Sequence, residues 1–203
     1  YPETYNTTHA GGDINLVKSN LYRLRHYIDK HNATTLIDIN YHLYRDNNKK
    51  NLIMFQDFAK ELGFMISTVY ALVMPLERVL NYLDGKPDQQ TLSLKNNLLV
   101  DIDEAIAAST EKVKKTNKCP FRENQVNVNA DLTVPVCCTV FERGDNVVAK
   151  NFLEVSLGQI EKRKKNVDIC QKCTDYRLPE YNMGLNRDRW AMVADCKVSF
   201  DNA

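Results

Sequence analysis

The sequence predicts an α/β protein in which helices alternate with strands, followed by a smaller α+β unit that carries the cysteines. Two observations support this. Apolar spacing switches repeatedly between the helical and the alternating period over residues 14–83, which is the pattern of βα units. All six cysteines lie beyond residue 118, in a stretch of short strand and turn signals. The apolar fraction of 43% over 203 residues is enough to bury a core without covalent staples.

The first predicted helix starts after Gly11-Gly12, with Asp13 as N-cap and Ile14, Val17, Leu21, Leu24 and Ile28 on one face. From Thr35 to Tyr44 the period becomes two. Ile37, Ile39, Tyr41 and Leu43 fall on one side, and Asp38, Asn40, His42 and Tyr44 on the other. A second helix carries Leu52, Phe55, Phe58, Ala59 and Leu62 and closes at Gly63, where a left-handed residue is expected. A strand over Phe64–Met74 and a helix from Pro75 to a stop at Gly85 follow.

Such alternation implies right-handed crossovers and a parallel sheet, open or curled into a barrel. Parallel sheets are normally covered on both faces, so a strand with the polar set Asp38, Asn40 and His42 is informative. That set faces either a polar lumen or, on an edge strand, solvent; continuation of the βα pattern favours the lumen. The strand runs into Tyr44-Arg45-Asp46-Asn47. Ligands of parallel folds bind beyond the carboxyl ends of strands, which makes Tyr44, Arg45, Asp46 and Asn47 candidate contacts.

Residues 88–115 read as one long or two shorter helices leading to a domain boundary between 110 and 118. Beyond it, Val126-Asn-Val128 and Val134-Pro-Val136 flank Asn129-Ala-Asp-Leu132 as a β-hairpin, with Pro135 confined to an edge or bulge. Ser156 caps a further helix, and the basic run Glu161-Lys-Arg-Lys-Lys165 reads as its wet face.

Four thiolates converging on one point make a site for an iron–sulfur cluster or a tetrahedral zinc ion. Cys119, Cys137, Cys170 and Cys173 fit, two from the hairpin and two from Cys170-x-x-Cys173. Cys138 follows Cys137, and neighbouring strand side chains point to opposite faces, so one of the pair faces the metal. Cys196 reads as a small buried hydrophobe. Spacing alone leaves the choice of metal open.

These residues resemble a known family. Twelve residues separate Cys119 from Leu132 and four separate Leu132 from Cys137. With the C-x-x-C that follows, this is similar to the auxiliary-cluster domain of radical S-adenosylmethionine (SAM) enzymes, in the single-cluster form called twitch, a relative of SPASM. Val-Asn-Ala-Asp-Leu-Thr-Val-Pro-Val-Cys-Cys looks like that family's hairpin, and Asn151-Phe-Leu-Glu-Val-Ser-Leu-Gly-Gln-Ile160 like the approach to its next helix. The first half, including Asn47 after a strand and the Leu62-Gly63-Phe64 helix exit, resembles later units of the partial (β/α)6 barrel. The family has glycine where this chain has Leu132, so the positive φ is expected elsewhere in the turn, at Asp131. No cysteine precedes Cys119, so the C-x-x-x-C-x-x-C motif of these enzymes is not in this sequence.

The resemblance implies residues 1–110 as the later part of a radical SAM barrel and 111–203 as a twitch/SPASM-like domain. It implies an auxiliary [4Fe–4S] cluster on the four cysteines. SAM and a second [4Fe–4S] cluster would belong to the parent enzyme, which forms a 5′-deoxyadenosyl radical and abstracts hydrogen from a small-molecule, sugar or peptide substrate. An electron donor such as flavodoxin or ferredoxin is implied too, and Asn40, His42, Tyr44, Arg45 and Asn47 of the first half become SAM or substrate contacts. Two rivals stand beside it: a non-enzymatic α/β protein with a structural four-cysteine zinc site, and a degenerate family member serving as a carrier or recognition subunit.

A net charge of +1, from 27 Lys+Arg against 26 Asp+Glu, gives no case for wholesale nucleic-acid or membrane binding. No apolar run reaches the roughly 20 residues of a membrane span. The expectation is a soluble, cytoplasmic protein, with Asn6-Thr-Thr8 and Asn32-Ala-Thr34 as chance sequons. The chain opens on Tyr1 and is expected to be part of a longer or processed protein.

Overall fold

The computed structural model describes Tyr5, His9, residues 11–47 and residues 49–200, so the sequon at Asn6-Thr-Thr8 lies outside the described residues. Among the described residues the fold is mixed α/β with two small sheets, and helix dominates. The chain forms two compact units, 1–71 and 72–203. The expected domain boundary at 110/111 falls inside the second. Among the described residues no helix is long and apolar enough to cross a membrane.

In the first unit, α1 (Ile14–Lys30) is capped by Asp13, whose Oδ1 accepts from the backbone N–H of Asn15 at 2.8 Å and of Leu16 at 3.3 Å. Ile14, Val17, Leu21 and Ile28 belong to the face that the spacing predicts; Ile28 is buried and Leu21 packs on the core, but Leu24 is exposed. Strand β1 (Asp38–Leu43) pairs in parallel with β2 (Met65–Tyr70), Asp38 opposite Met65 and Leu43 opposite Tyr70. Both strands are shorter than their apolar patterns, because the backbone ladder ends where pairing ends.

Between them, α2 (Lys50–Glu61) packs Phe58 and Ala59 into a core with Ile28, Leu62 and Phe64. Gly63 takes φ +65°, the left-handed conformation expected where α2 stops. The alternation in β1 holds: Ile39, Tyr41 and Leu43 turn inward, and Asp38, Asn40 and His42 are exposed. The sheet has two strands, and nothing in it shows a barrel.

In the second unit, α3 (Leu76–Leu83) begins after Pro75 and ends before Gly85, at φ +73°. Residues 88–115 include two helices, α4 (Gln89–Asn97) and α5 (Ile102–Thr110). Buried Leu98, Leu99 and Val100 separate them, and Asp101 restarts the helix in a reciprocal cap with Glu104. The end of α5 is held by later residues: Asn186 Nδ2 donates to the carbonyls of Ala108, Ser109 and Glu111, and Arg177 to those of Thr110 and Val113. These bonds answer carbonyls that a helix C-terminus leaves unpaired, and they tie α5 to the cysteine-bearing segment.

The hairpin differs from expectation. The chain turns at 129–133, with Asn129 N–H donating to Thr133 O, but β3 (Val134–Pro135) pairs antiparallel with β4 (Val147–Ala149), not with residues 126–128. Pro135 sits at a register irregularity, as suits a residue without a donor. The positive φ of the turn falls on Leu132 itself, at +65°, not on Asp131. Its side chain is over one-third exposed, so little packing offsets the conformational cost of about 1 kcal/mol. Leu132→Gly is therefore expected to stabilise the second unit by roughly 0.5–1 kcal/mol, readable as a higher urea midpoint at unchanged slope.

Candidate metal centre

Each expected thiol is positioned by a local device. Cys119 is the N-cap residue of α6 (Pro120–Asn124), and its carbonyl accepts from Glu123 N–H. Proline at the first helical position needs no donor there. Cys137 follows β3 and is buried, with its Sγ 3.3 Å from the hydroxyl of Thr139. Thr139 is itself buried, and its carbonyl accepts from Leu76 N–H at the start of α3. The next residues are pinned by buried Glu77, whose Oε1 accepts from Phe141 N–H at 3.0 Å and Glu142 N–H at 2.8 Å.

Ser156 and Gln159 form the expected cap of α7 (Leu157–Lys164). The C-x-x-C lies on α8 (Asp168–Asp175), where a spacing of three places Cys170 and Cys173 on one face. Cys170 is half-buried and Cys173 buried. Arg177, at φ +58°, ends this segment and leads into α9 (Leu178–Asn182) and α10 (Arg187–Phe200).

Burial and neighbouring charges raise three of these thiols, Cys119, Cys170 and Cys173. Burial raises Cys173 far above the ordinary thiol range, and charge on Cys119, Cys137 and Cys170 raises it further. Burial pushes Cys170 up to about 11; Arg122 opposes this, while Cys119 and Cys137 add to it. Burial also raises Cys119, against the pull of the Arg122 and Phe121 backbone N–H groups and with a push from Cys137. The charges that act on Cys173 thus come from three segments of the chain, those of Cys119, of Cys137 and of α8 itself.

The two remaining cysteines differ. Cys138 is exposed and pushed up to about 11, first by burial of its thiol and then by Cys137; its Sγ lies 3.7 Å from Gln125 Oε1. It stands in a turn and not in a strand, so the expected two-face separation has a different origin: Cys137 is buried and Cys138 is not. Cys196 is exposed on α10, not buried as its solitary position suggested.

Cys119, Cys137, Cys170 and Cys173 are of the donor type that a four-thiolate metal or cluster site uses. Among the described residues, no group of three or more Cys, His, Asp or Glu side chains is drawn into metal-holding geometry. What the surroundings add is positive charge. Lys164, expected on a wet helix face, is 1% exposed. Its Nζ donates to the carbonyls of Gln125 and Arg122, and burial lowers its pKa while Cys137, Cys170 and Cys119 hold it up. The Nε of Arg122 is buried with no hydrogen-bond partner. A buried ammonium and an orphaned guanidinium N–H beside four thiols fit an anionic group there. The signal for Lys164 was present in the spacing, since it lies four residues after fully buried Ile160, on the same helical face.

The polar residues of the first unit divide. Asn40, His42 and Asn47 border a cleft of about 280 Å³, with Lys18, Asn51 and Phe58 on its walls; Tyr44 and Arg45 do not line it. Burial lowers the pKa of His42, and the charge of His9 lowers it further. Asn47 is buried and its amide is engaged locally: Oδ1 accepts from Tyr44 N–H at 2.7 Å, and Nδ2 donates to His42 O at 2.8 Å. It staples the end of β1 to the turn Arg45–Asn47. Asn47→Ala is expected to cost about 1–2 kcal/mol by removing both of these side-chain bonds, measured by chemical denaturation.

Comparison with protein-family models, with curated proteins and with solved structures finds no match to this chain.

Proposed function

We propose that this chain holds an auxiliary [4Fe–4S] cluster through Cys119, Cys137, Cys170 and Cys173 and serves as part of a radical SAM enzyme. In this reading the first unit contributes later βα units of a partial (β/α)6 barrel, and the second is a twitch/SPASM-like domain. The observation that carries the reading is buried Lys164, whose ammonium donates to the segment that starts at Cys119 and on which the charges of Cys137, Cys170 and Cys119 act. The left-handed Leu132 supports the family side, since it occupies the position five before the second cysteine where that family places glycine.

A cluster whose four ligands are all protein thiolates supplies one-electron transfer and leaves no iron open to substrate. The chain's own residues do the rest. Thr139 sets the direction of the Cys137 sulfur from 3.3 Å, and Glu77 fixes the loop that follows. Asn40 and His42 present polar groups to a small-molecule, sugar or peptide substrate or to SAM at the cleft beside β1. The setting this requires is a reducing compartment such as the cytoplasm, with flavodoxin or ferredoxin as electron donor.

Anaerobic reconstitution of the full chain with iron and sulfide tests the reading. Iron and labile sulfide in equal amounts, with visible charge-transfer absorbance, are expected. One tightly bound zinc and no sulfide would overturn the cluster in favour of a structural four-cysteine zinc site.

A further inference from the structure

We propose that Lys164 is a positioning residue whose fixed positive charge holds an anionic metal–thiolate centre formed by Cys119, Cys137, Cys170 and Cys173. The proposal rests on the four-thiolate reading above and adds a residue from outside the ligand set.

Lysine is almost never fully buried without an anionic partner. Lys164 is 1% exposed, and its ammonium donates to two neutral acceptors, the carbonyls of Arg122 and Gln125. Among the described residues it forms no ion pair with a carboxylate, and the one carboxylate charge that acts on it is that of exposed Glu161, three residues earlier on α7. Both acceptors lie on the segment that starts at Cys119, so the Lys164 side chain reaches from α7 to the segment that carries the first thiol. Arg122 stands on that same segment. Its Nη2 donates to Asn117 O at 2.8 Å and meets Glu123 at 3.3 Å, while its buried Nε has no acceptor.

Two cationic side chains, one fully buried, thus stand beside a group of neutral thiols. Four thiolates around a zinc ion or an oxidised [4Fe–4S] core leave a net charge of about −2, which supplies a buried counter-charge for Lys164. The arrangement costs stability while the site holds no metal and returns it when the site is filled. That sign difference separates a role in holding the centre from a plain packing role, which would act equally in both states.

The test compares wild type, Lys164→Met and Lys164→Arg in the full chain, each prepared metal-free and after reconstitution with iron and sulfide. Methionine keeps most of the volume and removes the charge; arginine keeps the charge. Metal-free Lys164→Met is expected to melt no lower than metal-free wild type. Reconstituted Lys164→Met is expected to release iron to a chelator about 10- to 100-fold faster, the range for loss of an outer-shell partner. Its reduction potential should be more negative, because a nearby positive charge favours the added electron. Lys164→Arg should restore both.

Equal retention and equal potential in wild type and Lys164→Met would overturn the proposal, and so would a parallel loss of stability in the metal-free state. If wild type takes zinc without sulfide, the cluster reading falls, and Lys164 is judged by the same chelator rates with zinc. A wild-type chain that takes neither metal overturns both.

Discussion

Cys170→Ala is expected to remove bound metal from the second unit, and Cys196→Ala to leave metal content at the wild-type value. Cys170 is half-buried on α8, and the charges of Cys119 and Cys137 bear on its thiol. Alanine there leaves three sulfurs, which cannot close a tetrahedral shell or hold every iron of a cluster. Cys196 is exposed on α10. Binding that favours the folded state adds stability in proportion to RT ln(1 + [L]/Kd), about 3 kcal/mol at roughly 100 times Kd. Reconstituted Cys170→Ala should therefore lose that increment, while the metal-free proteins should differ by less than about 1 kcal/mol. Metal-to-protein ratio and denaturation of the same samples check this. Equal metal loss in the two variants would show that the ligand set is wrong.

Trp190→Ala is expected to cost about 3–5 kcal/mol, the range for removing a large aromatic from a closed core. Trp190 is 1% exposed and stacks on buried Tyr181, with ring centroids 6.1 Å apart. Its Nε1–H donates to Ser109 Oγ and Leu185 O, both at 3.0 Å, so α10 is bonded to the end of α5. Truncation leaves a cavity and strands two acceptors in the interior. Leu153 is 76% exposed, and Leu153→Ala should change stability by less than about 0.5 kcal/mol. Urea denaturation of the pair separates core from surface. A small loss at Trp190 would mean that α10 does not close the core of the second unit.

The helices and the alternation of β1 were legible because they depend on local spacing. Asp13 and Ser156 each cap the helix that follows, and Ile39, Tyr41 and Leu43 turn inward while Asn40 and His42 do not. What failed depended on partners distant in sequence. The strand Val134–Pro135 finds Val147–Ala149 in place of its nearer neighbour, because the turn at 129–133 directs the chain without completing a ladder. Leu24 has helical spacing yet lies exposed, since α1 packs on one narrow face.

The site shows the same division. The sequence by itself determined that four cysteines stand at spacings that suit one metal centre, two of them three residues apart and so on one helical face. It also determined the alternation that leaves Asn40 and His42 polar on β1. Only the tertiary structure decided that Lys164 is buried against the segment after Cys119, that Glu77 on α3 fixes the loop after Cys138, and that Leu132 bears the left-handed strain. The reason is physical. Periodicity reports which face a residue occupies, whereas burial of a charge and strain at one φ are set by what the rest of the chain packs against that face.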